Sequence, residues 1–206
     1  MELHDDAVIY MDNNATTRIA PEVLEAMMPF LADYYGNPSS MHTFGGQVGH
    51  ALAKARGQVA KLLGAEPEEI TFTSCGTESD STAILSALQT YPEKRHIVTT
   101  RVEHPAVKNL CENLDRFTGH KHRVTRLKVD AEGMLDLDEY EEALTDDTAI
   151  VSVMWANNET GVLFPVAEMA KMARERGILF HTDAVQAVGK VPINLKDLDI
   201  DFLSLS

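Results

Sequence analysis

The chain has 206 residues, 44% of them hydrophobic and 24% charged, with a net charge of −14. That is length and apolar content enough for one good core. The charge argues against nucleic acid and against anionic membrane surfaces as partners. The N-terminus is acidic (Glu2, Asp5, Asp6) and lacks an apolar leader, and no run is long enough for a transmembrane helix. Two cysteines cannot build a disulfide framework, so a reducing cytoplasm is expected. The eight histidines and two cysteines show no clustered zinc spacing, and no metal site is expected. His120 and His122 fall in a basic loop and are read as exposed rather than as ligands.

In chain order, Val8–Met11 is a short apolar run that breaks into the polar loop Asp12–Thr17. Pro21 opens a helix whose apolar face is Val23, Leu24, Met27, Met28 and Leu31. Gly36-Asn37-Pro38-Ser39-Ser40 forces an irregular loop, and a helix then runs from Gly45 to Leu63, where Gly64 stops it. From there strands and helices alternate. Strands are predicted at Ile70–Thr73, His96–Thr100, Val124–Val129, Ala149–Met154, Ile178–Phe180 and Phe202–Leu205. Helices are predicted after Glu78 through Leu88, after Pro105 through Leu114, over Leu137–Leu144, and from Pro165 to Gly177. Such alternation means βαβ units and a largely parallel sheet.

Several apolar runs end in groups suited to holding a ligand, and ligands of open α/β sheets sit beyond the carboxyl ends of the strands. Ser74-Cys75-Gly76-Thr77 is a strand-to-helix turn. Gly76 would let a ligand approach the backbone, Thr77 adds a hydroxyl, and the helix N-terminus suits a phosphate. A capping turn with Thr77 as N-cap is the plainer alternative. His104 before Pro105 could stack on a ring and move protons, or simply cap a helix. Asn158 could bond a phenolic oxygen, or serve the turn Asn157–Gly161. Asp183, at the end of the run ILFHTD, needs a positive partner if it is buried, and Gln186 is close enough to share its pocket. The alternative for Asp183 is a residue that opens a turn. Together a phosphate site, a stacking imidazole, a carboxylate for a pyridinium nitrogen and amides for a ring oxygen describe pyridoxal 5'-phosphate.

At these residues the sequence resembles the class V, fold-type I pyridoxal-phosphate enzymes, and within them the nitrogen-fixation type of cysteine desulfurase. The matching stretches are YMDNNATT (10–17), GNPSSMH (36–42), FTSCGTESDSTAILSAL (72–88), EHPAV (103–107), SVMWANNETG (152–161) and FHTDAVQAVGKVPI (180–193). The resemblance implies a three-layer α/β sandwich with a mostly parallel or mixed central sheet. Residues 1–15 would be an N-terminal segment and 16–206 the first part of the cofactor-binding large domain, incomplete at its C-terminus, with the small domain missing. It implies that Gly76 and Thr77 hold the phosphate, with Ser206 as a further ligand. His104 would stack on the ring, Asn158 and Gln186 would bond its hydroxyl oxygen, and Asp183 would pair with its nitrogen. The implied reaction takes L-cysteine to L-alanine and leaves an enzyme persulfide for an iron–sulfur scaffold protein. The implied enzyme is a cytoplasmic homodimer serving iron–sulfur assembly for nitrogenase, with the Gly36–His42 loop near the partner's active site.

One departure stands out. In the family the Schiff-base lysine follows a Ser-x-His element of which Ser206 matches only the first residue, and the nucleophilic cysteine lies further on. Neither Cys75 nor Cys111 matches that cysteine. Cys75 is read as a small packing residue and Cys111 as core. The expectation is therefore a front part of a larger enzyme, inactive alone. Other readings are a selenocysteine lyase or another class V enzyme, and, in a different class, a non-catalytic sulfur-transfer scaffold or inactive fragment.

Overall fold

A computed structural model describes residues 9–117 and 121–206, so Val8 and His120 lie outside the described residues. The chain divides into two compact units, one reaching to Gly57 and the other spanning Gln58–Ser206.

The first unit holds α1 (Pro21–Ala32) and most of α2 (Thr43–Leu63). Pro21 stands in the first turn of α1, where its missing N–H costs nothing. The five apolar residues predicted to face a core from this helix are all exposed, from 44% at Met27 to 69% at Leu31. In the loop before α2 the backbone packs tightly, since a Cβ on Gly45 would lie only 2.8 Å from Ser40 Cβ. Gly64 ends α2 at φ +70°, a conformation that favours glycine.

The second unit is a three-layer α/β sandwich, as the resemblance implies. Its sheet has β1 (His96–Thr100), β2 (Arg123–Leu127), β3 (Thr148–Ser152), β4 (Leu179–Asp183) and β5 (Phe202–Ser204). The spatial order is β2-β1-β3-β4-β5 and all four pairings are parallel. α3 (Gly76–Thr90) and α4 (Pro105–Phe117) cover one face, where Ile84, Ala87, Val107 and Cys111 meet Ile97 and Ile150. α5 (Leu137–Ala143) and α6 (Val166–Glu175) cover the other, where Tyr140 and Met169 meet Val98, Val151 and Phe180. Strand residues alternate between the two clusters with the two-residue period of a pleated sheet. β1 and β3 are buried along their whole length, as expected of strands covered on both faces. Within the described residues, no helix is long and apolar enough to cross a membrane.

The predicted strand Ile70–Thr73 does not form. Ile70 is extended (φ −91°, ψ 121°) after a 3-10 turn at Pro67–Glu69, but the segment belongs to no ladder, and Phe72 is 45% exposed. Strand composition alone does not make a strand of the sheet; the stretch must also run in register beside another strand.

Candidate active site

The sheet order reverses between β1 and β3, because β2 lies on one side of β1 and the later strands on the other. Such a switch point opens a crevice at the carboxyl ends of the strands. At the carboxyl ends lie the β1–α4 connection with Glu103 and His104, Ser152 closing β3 with Met154 just beyond it, and Asp183 closing β4.

Asp183 is the last residue of β4 and only 6% exposed. Its carboxylate accepts the Val185 N–H at 3.0 Å, so the turn-opening reading also holds. Its backbone oxygen accepts from Trp155 at 2.9 Å, which ties the end of β4 to the loop after β3. Burial raises its pKa, while the Val185 bond and the nearby His104 ring pull it down. His104 is exposed, and its Nδ1 accepts the Ala106 N–H at 3.2 Å, so the imidazole caps α4 while it faces Asp183.

α3 begins at Gly76, with Cys75 rather than Thr77 as N-cap, and no side chain caps it. Thr77 is exposed in the first turn. Gly76 meets the ends of β4 and β5: a Cβ built on it would lie 3.5 Å from Val185 Cγ2 and 3.7 Å from Ser206 Cβ. A cavity of about 290 Å³ adjoins this turn, lined by Ser74, Cys75, Ser79 and Ser206 and by apolar side chains such as Val59 and Phe72, but not by Gly76 or Thr77. Cys75 is exposed rather than packed. Bonds from the backbone N–H groups of Glu78 and Thr77 and from the Ser74 hydroxyl lower its thiol pKa. Cys111 is fully buried in the core, as expected, and burial pushes its thiol up to about 12.

Asn158 and Gln186 are partly buried. The Asn158 amide donates to Glu159 Oε1 at 2.9 Å, and Gln186 Oε1 accepts from Lys190 Nζ at 2.6 Å. The turn after β3 is organised by the neighbouring Asn157, whose Oδ1 accepts from the backbone of Glu159 and Thr160. The structure thus brings Gly76 beside Ser206 and puts His104 within electrostatic reach of Asp183.

Sequence reasoning missed four buried polar residues here. Glu103 is 6% exposed, accepts the Thr100 hydroxyl at 2.7 Å and the Met154 N–H at 3.1 Å, and so links the end of β1 to the residues just past β3. Burial pushes its carboxyl up to about 8. Asp80, His181 and Ser204 are buried together under Asp183. The signal for the last set was available: His181 and Asp183, two apart on a strand, must share a face.

Over residues 9–206 the chain matches the profile of the aminotransferase class-V family. The chain belongs to that family. It is 62% identical over 202 residues to the cysteine desulfurase NifS of Azotobacter vinelandii, covering 97% of this chain and 49% of that protein. It is 60% identical over 200 residues to cysteine desulfurase 1 of Trichormus variabilis, again covering 97% of this chain and 49% of the relative. The chain therefore spans about half the length of the curated relatives it matches. Among solved structures, a NifS-like protein superposes with a TM-score of 0.91 at 41% identity, over 96% of this chain and 54% of the other. A structure described as SspA in complex with cysteine gives 0.90 at 37% identity, over 96% and 56%.

Enzymes of this family use pyridoxal 5'-phosphate. The residues present fit that group. The start of α3, which no side chain caps, suits the phosphate, and Asp183 is a buried carboxylate whose charge is eased by the Val185 N–H and the His104 ring but, among the described residues, by no lysine or arginine.

Proposed function

We propose that the chain is the pyridoxal-phosphate-binding front part of a cysteine desulfurase, with residues 16–206 belonging to its large domain. The enzyme takes L-cysteine to L-alanine and passes the sulfur, as a persulfide, to an iron–sulfur scaffold protein, in the service of nitrogenase. It works as a cytoplasmic homodimer. The observation that carries this reading is the buried Asp183 carboxylate facing His104 at the sheet's switch point, in a chain about 60% identical to cysteine desulfurases.

When bound, pyridoxal phosphate supplies an electron sink for the carbon skeleton of an amino acid. The chain's part is to hold and polarise it. Backbone N–H groups of Gly76 and Thr77 bind the phosphate at the start of α3, with the Ser206 hydroxyl across from them. Asp183 keeps a proton on the ring nitrogen, because a carboxylate buried without a cation gains most by pairing with one. His104 lies on the ring and exchanges protons with the substrate, helped by its exposed position and an Nδ1 already fixed by the Ala106 N–H. Asn158 and Gln186 bond the ring hydroxyl oxygen. Lys190 donates to the Gln186 amide oxygen, so a bond from this side chain to the ring oxygen would be given by its NH2.

The test is to supply the full-length protein with L-cysteine and measure alanine release and protein-bound persulfide. Stoichiometric alanine with a reducible persulfide is expected. Removing the Asp183 charge with Asp183→Asn should lower kcat on the order of 10²-fold, the usual cost of losing one preorganised electrostatic partner. Near-normal turnover in that variant would sink the role given to Asp183. Turnover of selenocysteine but not cysteine would move the enzyme to another branch of the family.

A further inference from the structure

Directly behind Asp183, on the same face of β4, lies His181, with no exposed surface. Its Nδ1 is 2.9 Å from Ser152 Oγ on β3, and its Nε2 is 2.9 Å from Ser204 Oγ on β5. α3 lays Asp80 over this row. Asp80 is 1% exposed, its Oδ1 is 3.5 Å from His181 Nε2, and it shares a hydrogen bond with Ser204. That Oδ1 has no hydrogen-bond partner. The ionisable groups around Asp80 are His181 and Asp183 from β4 and Glu103 from the β1–α4 connection, with His104 beside Asp183. Ser204 from β5 adds only a hydroxyl. No lysine or arginine faces Asp80 from the described residues of these elements.

A carboxyl group this buried, with one oxygen orphaned and acids for neighbours, is far more stable carrying a proton. Burial and the Asp183 charge push Asp80 up to about 7, while burial pushes His181 down to about 3. The proton therefore belongs to the carboxyl and the imidazole stays neutral.

The hydroxyl–imidazole–hydroxyl row has two self-consistent arrangements. With Asp80 protonated, Asp80 donates to Ser204, Ser204 donates to His181 Nε2, and His181 donates from Nδ1 to Ser152. With Asp80 ionised, every bond runs the other way, from Ser152 to Nδ1, from Nε2 to Ser204, and from Ser204 to Asp80. Passing from the first to the second moves each proton one bond along. The Asp80 proton goes to Ser204, the Ser204 proton to Nε2 and the Nδ1 proton to Ser152, and the one proton in excess is taken up by the buffer base.

We propose that Asp80 is a positioning residue of this site. It acts as a proton store wired through Ser204 and His181 to Ser152, holding its proton while Asp183 stands as a bare carboxylate and releasing it when a cation pairs with Asp183. The last step rests on the cofactor reading above, in which the cation is the ring nitrogen. The store itself does not.

The first experiment uses the full-length protein freed of cofactor, as wild type and Asp80→Asn. The folded pKa of Asp80 lies above its unfolded value, so its contribution to stability is present at low pH and is lost as pH rises through about 7. The variant keeps the shape but has no proton to lose. It should melt no higher than wild type at pH 5.5 and above it at pH 8.5. In 15N spectra of the histidines, His181 should change tautomer between those pH values in wild type and keep one tautomer in the variant. An equal melting loss at both pH values, or an unchanged wild-type tautomer, overturns the store, and the latter measurement stands whether or not the variant folds.

The second experiment titrates pyridoxal phosphate into both proteins at pH 7 in buffers of different ionisation enthalpy. Wild type should release more protons than Asp80→Asn. Equal release overturns the link to Asp183. A failure of both proteins to bind strikes the cofactor reading, and the first experiment still decides the proton store.

Discussion

Gly76, at the start of α3, and Ser206, just past β5, stand against each other: a Cβ on Gly76 would lie 3.7 Å from the Cβ of Ser206. That is ordinary van der Waals contact, so the position tolerates a methyl group but not a negative charge. Gly76→Ala should fold normally. Gly76→Asp places a carboxylate where a helix start would receive an anion, and should weaken pyridoxal phosphate binding about tenfold or more, the scale of a partly buried helix-terminus interaction. Fluorescence titration of the full-length variants measures it.

Glu103 makes stability depend on pH. Its folded pKa of about 8 exceeds its unfolded value, so its stabilising contribution is full in acid and is lost as pH rises through about 8. The melting temperature of Glu103→Gln should fall less than that of wild type between pH 6 and 9. Glu103→Ala orphans the Met154 N–H and should cost about 1–3 kcal/mol at pH 6 by urea unfolding.

Tyr140 fills the core on the α5–α6 face and donates its hydroxyl to the Met169 carbonyl at 2.7 Å. Tyr140→Phe keeps the ring and loses the bond, which should cost about 1 kcal/mol. Tyr140→Ala also opens a cavity and should cost about 3–5 kcal/mol. Equal losses from the two would show that the bond, not the ring, dominates.

The two cysteines should differ in reactivity. Cys75 is exposed with a lowered pKa, whereas Cys111 is buried with its thiol near 12. At pH 7, iodoacetamide should modify Cys75 within minutes and leave Cys111 unmodified until the protein is unfolded, as read by peptide mass spectrometry. Modification of both at similar rates in the native protein would contradict the buried position of Cys111.

Much of this arrangement is written in local pattern. The strand His96–Thr100 is an apolar run bounded by charges and falls where expected. Gly177, at φ +64°, closes α6 because few other residues adopt that conformation cheaply. Glycine, proline and apolar period act over a few residues, so a sequence displays them. Other features depend on partners far along the chain. Ile70–Thr73 has the composition of a strand but is not one of the five strands of the sheet among the described residues. The apolar stripe of α1 has the right period, yet its residues are exposed. Cys75 reads as packing until the start of α3 leaves it open to solvent. In the site, Asp183 was legible because a carboxylate ending an apolar run is conspicuous. Asp80 was not, since an acid amid Glu78-Ser79-Asp80-Ser81 looks like an ordinary solvated helix face. Only the packing of α3 on β4 and β5 reveals that it is sealed from water.

The meeting of Gly76 with Ser206 also sets a timetable. A ribosome delivers the start of α3 well before β5, and domains tend to fold as units while they are being made. On the cofactor reading proposed above, the phosphate cradle would not be complete until β5 has docked, because one of its walls would be Ser206, just past that strand. A nascent chain carrying everything up to α6 has Asp183 still to come and nothing opposite Gly76. On that reading, capture of the phosphate would report that the sheet has been assembled through β5.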